Sequence, residues 1–291
     1  MTRTAAVFGA SGQLGVELVR ELKSRRYSVS AFDRHEVDIS DSAAVENALA
    51  RADVAVVFNA AAYNQVDVAE KEPQAAILVN GLAVRNIALA CRQIDARLVH
   101  FSTDYVFDGT ARRPYSEEDP THPLGAYAVS KLVGELYAQA YLERALVVRT
   151  SGVFGPAGIS TARGNFVELM LRLAASSNPI RVVEDHVASP TFAPLLASRT
   201  IDLVERELAG VFHIGGGTPT SWFQFAKLIF EAARLEPHLM ATNEREYRTA
   251  ARRPRYSALS NAKMERMGLE PMPSLARALE LYFEGRRPSG S

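Results

Sequence analysis

Thr4-Ala5-Ala6-Val7-Phe8-Gly9-Ala10-Ser11-Gly12-Gln13-Leu14-Gly15 is an apolar run broken by three glycines, after which Val16, Leu18, Val19 and Leu22 recur at helical spacing. Strand, glycine turn and helix in that order form a context that can hold an anion. Gly9 permits a tight turn, Gly12 lets backbone approach a pyrophosphate, and Gly15 allows close helix-to-strand packing. The helix N-terminus, with Ser11, Gln13 and Leu14 around it, supplies free N–H donors. The Gly-x-x-Gly-x-x-Gly spacing is one residue longer between the first pair than the commonest dinucleotide fingerprint, so a merely structural turn is the competing reading.

Working outward, Tyr27 to Phe32 ends in Asp33, and Asp53 to Phe58 opens into Asn59-Ala60-Ala61-Ala62-Tyr63-Asn64. Arg97-Leu98-Val99-His100-Phe101 leads to Ser102-Thr103-Asp104, and Ala145 to Thr150 opens into Ser151-Gly152. Between them, Pro73 to Gln93 puts Ile77, Gly81, Val84, Ala88 and Cys91 on one helical face. The alternation predicts an α/β fold, a Rossmann-type doubly wound parallel sheet over residues 1–155. Parts of 180–215 complete that sheet, and 156–291 form mainly a smaller C-terminal substrate-binding α/β region. There, Pro156 to Arg163 reads as a loop, Asn165 to Ala175 and Leu195 to Glu207 as helices, and Ile180 to Val183 and Gly210 to Ile214 as strands. Ser221 is placed to cap a helix running to Ala233. Short helices near Asn261 to Met267 and Ser274 to Phe283 precede a frayed tail from Arg286 to Ser291.

Asp33, at the tip of the second strand, can accept hydrogen bonds from adenosine ribose hydroxyls and would repel a 2′-phosphate. Arg34 would instead hold that phosphate, so NADH and NADPH both stay open, as does a solvated turn. Asp38-Ile39 either meets the adenine edge or, through Asp38, caps a helix before Ser40-Asp41.

The reactive groups lie between Arg97 and Lys131. A buried strand there brings the Thr103 hydroxyl out at its carboxyl end, where open α/β sheets put their ligands. Tyr127-Ala128-Val129-Ser130-Lys131 sets a phenol and an ammonium four apart, on one helical face. The positive charge favours phenolate, so Tyr127 is expected to be an acid tuned toward neutral pH, able to protonate an oxygen while hydride reaches the adjoining carbon. With ten tyrosines and five lysines, chance supplies this pattern about 0.2 times.

Thirty-three basic residues balance thirty-three acidic ones, which removes the electrostatic footprint of nucleic-acid or membrane-surface binding. The single cysteine, Cys91, reads as a small buried apolar residue. Six scattered histidines lack metal-ligand spacing, so no metal site is expected. No secretory signal opens the chain and no apolar run approaches about 20 residues, which predicts a soluble cytoplasmic protein.

With these residues in hand, the chain resembles the extended short-chain dehydrogenase/reductases and, within them, the dTDP-4-dehydrorhamnose reductase family, over nearly its whole length. The marks are Gly9 to Gly15, Asn59-Ala60-Ala61-Ala62, Val66-Asp67 with Ala69-Glu70, Ser102-Thr103-Asp104-Tyr105-Val106-Phe107, Tyr127 with Lys131, Arg149-Thr150-Ser151 and Pro190-Thr191. The resemblance implies NADPH- or NADH-dependent reduction of a 4-keto-6-deoxy sugar carried on a nucleotide, by a monomer or homodimer. It makes Tyr127 the proton donor, sets Lys131 against the nicotinamide ribose and the phenol, and gives the sugar to Thr103 and Asp104. Phe101 and Ala62, Tyr63 and Asn64 match positions lining the cofactor.

Departures concern the substrate. An aromatic residue often follows Arg-Thr-Ser in the family, where this chain has Gly152. The loop after Gly155 is longer, Asn64-Gln65 replaces Thr-Ala, and Pro194 stands where some relatives carry a glutamate of a metal-bridged dimer. Arg253 either grips the substrate diphosphate as a bidentate donor or stays at the surface. The competing readings are an epimerase or dehydratase of the same superfamily and a cofactor-binding regulatory subunit without turnover. A dehydratase usually needs a carboxylate pair beside Thr103, whereas Asp104 is followed by Tyr105. A regulatory relative tends to lose a catalytic group, and all are present here.

Overall fold

The computed structural model describes residues 3–161, 164–176 and 178–286. Residues 162–163 of the expected loop and 287–291 of the expected tail lie outside the described residues. The first half runs β1 (Thr4–Phe8), α1 (Gln13–Ser24), β2 (Ser28–Phe32), α2 (Ser42–Ala52), β3 (Val56–Asn59) and a single turn, α3 (Val66–Ala69). A long helix follows in three parts: α4 (Pro73–Ile77), a π-helical turn (Leu78–Leu82) and α5 (Ala83–Gln93). Then come β4 (Arg97–Thr103), α6 (Ala126–Tyr141) and β5 (Leu146–Thr150). The second half runs α7 (Phe166–Ala174), β6 (Ile180–Val183), β7 (Val187–Ala188), α8 (Ala193–Glu205), β8 (Gly210–His213) and β9 (Thr220–Ser221). It ends with α9 (Trp222–Ala233), β10 (Leu239–Thr242), α10 (Ala262–Arg266) and α11 (Leu275–Arg286).

Six strands form one parallel sheet in the order β2-β1-β3-β4-β5-β8. Its inner strands are covered on both sides, which is why they read as unbroken apolar runs rather than alternations. Leu18 and Leu22 of α1, with Leu196 and Ile201 of α8, pack on Val7, Phe58 and Val99 from one face. Val45 and Leu49 of α2, Ile87 of α5 and Ala138 of α6 pack on Phe8, Val57 and Leu98 from the other. The chain goes outward from β1 to β2 and returns to β3 on the far side of β1. That reversal opens a crevice at the carboxyl ends of β1 and β3.

Several expectations change on contact with the structure. Gly210–His213 does join the sheet, beside β5, but Ile180–Val183 leaves it and pairs in parallel with β10, a strand the sequence pattern did not predict. β10 and β6 belong to a second region whose core is aromatic, built on Phe154, Phe225 and Tyr282. The expected loop after Gly155 contains a 3-10 turn, Pro156–Ser160. Asp41, not Asp38, caps α2, accepting from the N–H groups of Ala43 and Ala44 at 2.9 and 3.1 Å. Ser221 caps α9 as expected, accepting from Gln224 N–H at 3.1 Å.

Contrary to the expectation about apolar runs, the 21-residue helix Pro73–Gln93 is long and apolar enough by length and composition to cross a membrane, with a mean hydropathy of 1.4 over its most apolar 18-residue window. Its inner face nevertheless belongs to the core over the sheet, with Val84, Ile87, Ala88 and Cys91 fully buried. Burial pushes the Cys91 thiol up to about 12, so it behaves as an apolar filler.

Candidate active site

The glycine turn closes with Gly12 N–H donating to Gly9 O at 3.0 Å, and α1 begins at Gln13 with no side chain capping it. First-turn N–H groups are therefore directed past the carboxyl end of β1. Gly15 is dictated by contact: a Cβ there would stand 2.1 Å from Gly9 O. The Gln13 side chain ties the turn to the second half, donating to Val153 O and accepting from Asn165 Nδ2, both at 2.8 Å.

All seven residues of β4 are buried, and the strand ends in a 3-10 turn (Asp104–Val106). Thr103 Oγ1 caps that turn, accepting from Tyr105 N–H at 3.2 Å, and donates to Asp104 Oδ1 at 3.2 Å. Asp104 Oδ2 accepts from Ser151 Oγ at 2.8 Å and Ser257 Oγ at 2.5 Å. Burial pushes the Asp104 carboxyl up to about 6, with the Ser257, Ser151 and Thr103 hydroxyls opposing it. Its oxygens are thus held by protein donors, which sets a structural task beside the sugar contact that the family resemblance implied.

Tyr127 is the second residue of α6, and Lys131 follows one turn later. Lys131 is 3% exposed and donates to Phe101 O at 2.6 Å. Burial pushes its ammonium down to about 8, with the Glu135 carboxylate opposing. The phenol departs from expectation. Burial first, and the Asp104 charge second, raise it above the ordinary tyrosine value, the Thr103 hydroxyl working the other way. The Lys131 amine is turned to the strand carbonyl, so in this structure it does not make Tyr127 a near-neutral acid.

A cavity of about 320 Å³ joins these groups: Gly12, Gln13 and Leu14 from the turn, Ala62 and Asn64 beyond β3, and Phe101, Thr103, Asp104, Tyr127, Lys131 and Gly152. Gly152 has φ of +49°, and a Cβ there would lie 3.1 Å from the Trp222 ring, so ring and backbone both favour glycine. Gly9, in the turn, and Gly15, in the first turn of α1, are not among the residues that line this cavity. Ser11, at the turn, is exposed. Tyr63 holds its loop in place through backbone hydrogen bonds to the Asn80 side chain, at 2.8 and 3.0 Å.

The four residues expected at the adenosine end are not brought into the cavity. Asp33 Oδ1 instead accepts from His35 and Glu36 N–H, Arg34 is exposed, Asp38 accepts from Ser40, and Ile39 is core, 5% exposed. They follow β2, whose end touches the glycine turn through Ala10 N–H to Phe32 O at 3.1 Å.

Beside the cavity lies a cleft of about 690 Å³ that includes Asp67, Tyr105, Trp222 and Arg253. Arg253 grips Asp67 with two bonds, Nη1 to Oδ1 at 3.1 Å and Nη2 to Oδ2 at 2.7 Å, so it is neither a free donor nor a loose surface group. That pairing holds the Asp67 carboxyl below the usual range.

A family model described as the RmlD substrate binding domain matches residues 3–286. The chain is 39% identical over 284 residues to a dTDP-4-dehydrorhamnose reductase of Streptomyces griseus, covering 95% of this chain and 92% of that one. The chain belongs to the dTDP-4-dehydrorhamnose reductase family. Members of this family are NAD(P)H-dependent oxidoreductases. A further relative, at 38% identity over 280 residues and 96% of each chain, is the spore coat polysaccharide biosynthesis protein SpsK of Bacillus subtilis. Among solved structures, dTDP-4-dehydrorhamnose reductase from Bacillus anthracis in complex with NADP superposes with a TM-score of 0.93 at 33% identity, covering 98% of this chain and 100% of that one.

The reductase-family site also contains residues that sequence reasoning missed. Asn80 Nδ2 donates to Ser130 Oγ at 2.9 Å, and Ser130 Oγ donates to Tyr127 O at 2.7 Å, so one amide links the Tyr63 loop to the helix carrying the phenol. Glu135 and Arg149 form a buried ion pair at 2.7 Å under the cavity. An arginine inside the apolar run Leu146–Thr150 was the available signal for a buried partner.

Proposed function

We propose that this chain reduces the keto group of a nucleotide-linked 4-keto-6-deoxy sugar, carried on dTDP as in the reductases it resembles, with NADPH or NADH. One observation carries the reading. A single cavity is walled by the uncapped start of α1, by the Thr103 and Tyr127 side chains, and by the buried Lys131. The residues suit a dinucleotide: the close-packed glycine turn leaves room for a pyrophosphate at the helix N-terminus, and Thr150 Oγ1 is buried beside the cavity without a partner among the described residues. When bound, the reduced nicotinamide supplies the hydride.

The rest is the work of the chain. First-turn N–H groups of α1 bind the pyrophosphate, Ala62, Asn64 and Phe101 border the ring, and Lys131 faces the ribose hydroxyls. Tyr127 keeps its proton at neutral pH, because burial disfavours the phenolate, and gives it up as charge develops on the carbonyl oxygen. Thr103 Oγ1, turning its one proton away from Asp104 Oδ1, donates to the same oxygen. In this assignment residues 1–155 hold mainly the dinucleotide and 156–291 mainly the sugar nucleotide.

The test is loss of NADPH absorbance on adding a dTDP-linked 4-keto-6-deoxy sugar. Tyr127→Phe is expected to bind NADPH normally and to lose roughly 10²- to 10⁴-fold in turnover. Near-normal turnover by that variant would remove the assignment.

A further inference from the structure

Glu135 stands one helical turn beyond Lys131 on α6 and is 1% exposed. Its carboxylate accepts from Ser102 Oγ of β4. It also accepts from Arg149 of β5, through Nε at 3.0 and 3.1 Å and Nη2 at 2.7 Å. Ser102 and Arg149 face one another in the parallel register, each one residue before the cavity pair Thr103 and Thr150. A single carboxylate therefore joins the three elements that carry Tyr127 with Lys131, Thr103 and Thr150.

The guanidinium is held from its other sides as well. It lies over the Phe107 ring at 5.2 Å, and Nη1 is 3.5 Å from His213 Nε2. Burial pushes His213 down to about 3, so its imidazole is neutral. His213 Nδ1, 3.0 Å from Tyr115 O, must be the donor there, which leaves Nε2 to accept from Arg149. Stability alone is a weak reason for such a pair, since well-packed apolar residues of similar volume are often as stable.

We propose that Glu135 is a positioning residue of the reaction centre: its carboxylate fastens α6 to the carboxyl ends of β4 and β5 and balances the buried positive charge of Lys131. The effect on turnover rests on the reductase reading; the charge balance does not. The titratable groups that act on Lys131 or share its cavity are Glu135 and Tyr127 on its own helix and His100 and Asp104 from β4 and its turn. His100 is neutral, held well below its ordinary value by burial and by Lys131 itself. The π-helical turn against α6 contributes the uncharged Asn80. Glu135 is the group that opposes the cost of burying the ammonium.

The chain has five lysines, so side-chain NMR of labelled lysine on the protein without added ligand can follow Lys131 singly, with Lys131→Arg assigning its signal. In Glu135→Gln the Lys131 midpoint is expected to fall by about one unit or more, and in Glu135→Asp to stay close to that of the wild type. The basic limb of kcat moves with it. Should Glu135→Gln not fold, Glu135→Gln with Arg149→Met removes both members of the buried ion pair together and is expected to show a smaller fall in the same direction. An unchanged Lys131 midpoint in the folded single variant, or in the double variant where the single does not fold, would overturn the proposal. A wild-type chain that turns over no keto sugar would instead remove the reductase reading, while the NMR titration still decides the role of Glu135.

Discussion

The two hollows of this molecule meet where the rings of Tyr105 and Tyr127 stand edge to face, 6.2 Å between centroids, yet they are made of different material. The 320 Å³ cavity is walled by strand ends, a glycine turn and short side chains whose polar atoms are largely engaged with one another. The 690 Å³ cleft is walled by long side chains, among them six arginines, with Phe166, Trp222 and Tyr247. Rigid backbone places reacting groups closely, whereas long cationic side chains can follow the shape of an anionic ligand. On the proposed function the first hollow carries the chemistry and the second the recognition, and Gly15→Ala and Arg253→Lys below should each disturb one without the other.

Gly15→Ala carries the largest expected effect. The added methyl would meet backbone rather than a movable side chain, so α1 must shift away from β1 and the N–H groups leave their aim. Dinucleotide binding, followed by NADPH fluorescence, should be lost, and Tm should fall. Retained binding would show that the turn is more pliable than the contrast allows.

Asp104 tests the seam, because it takes Ser151, the residue after β5, and Ser257 from the C-terminal segment. Its folded pKa, about 6, lies above the 3.8 of an ordinary aspartate, so folding tightens proton binding. Its contribution to stability is fully present below pH 3.8 and is lost as pH rises through about 6. Replacing it by a neutral isostere, Asp104→Asn, should flatten the stability profile between pH 4 and 7, removing a fall of up to about 3 kcal/mol. Parallel denaturation profiles for variant and wild type would show that Asp104 is ionised without cost.

These two hollows also differ in how far they can be read from sequence. The smaller one is local: the glycine turn is contiguous, Tyr127 and Lys131 share a helix face, and Thr103 closes an apolar run, so periodicity alone brings them near a strand end. The main sheet is legible for the same reason, since strands buried on both faces leave long apolar runs. The cleft depends on pairs such as Asp67 and Arg253, separated by 186 residues, which no local pattern links. β10, Leu239-Met240-Ala241-Thr242, has neither β-branched residues in series nor alternation, and only its pairing with β6 makes it a strand. Arg149 announced a buried partner without naming it, because Glu135 reaches it through the fold rather than along the chain. Phenol acidity was misjudged because spacing reports that an amine is near, not which acceptor the amine has taken.

Arg253→Lys probes the recognition side with the smallest change. Lysine keeps the charge but loses the planar fork, so the paired bonds to Asp67 at 3.1 and 2.7 Å cannot both survive. Arg253 stays protonated throughout the working range, since Asp67 and Tyr105 raise it further against the cost of burial, which makes geometry the only variable. KM for the sugar nucleotide should rise roughly tenfold, about 1.4 kcal/mol, with NADPH affinity unchanged. A rise in the NADPH dissociation constant with KM for the sugar unmoved would mean that the cleft serves the cofactor, and the division of labour between the two hollows would have to be reversed.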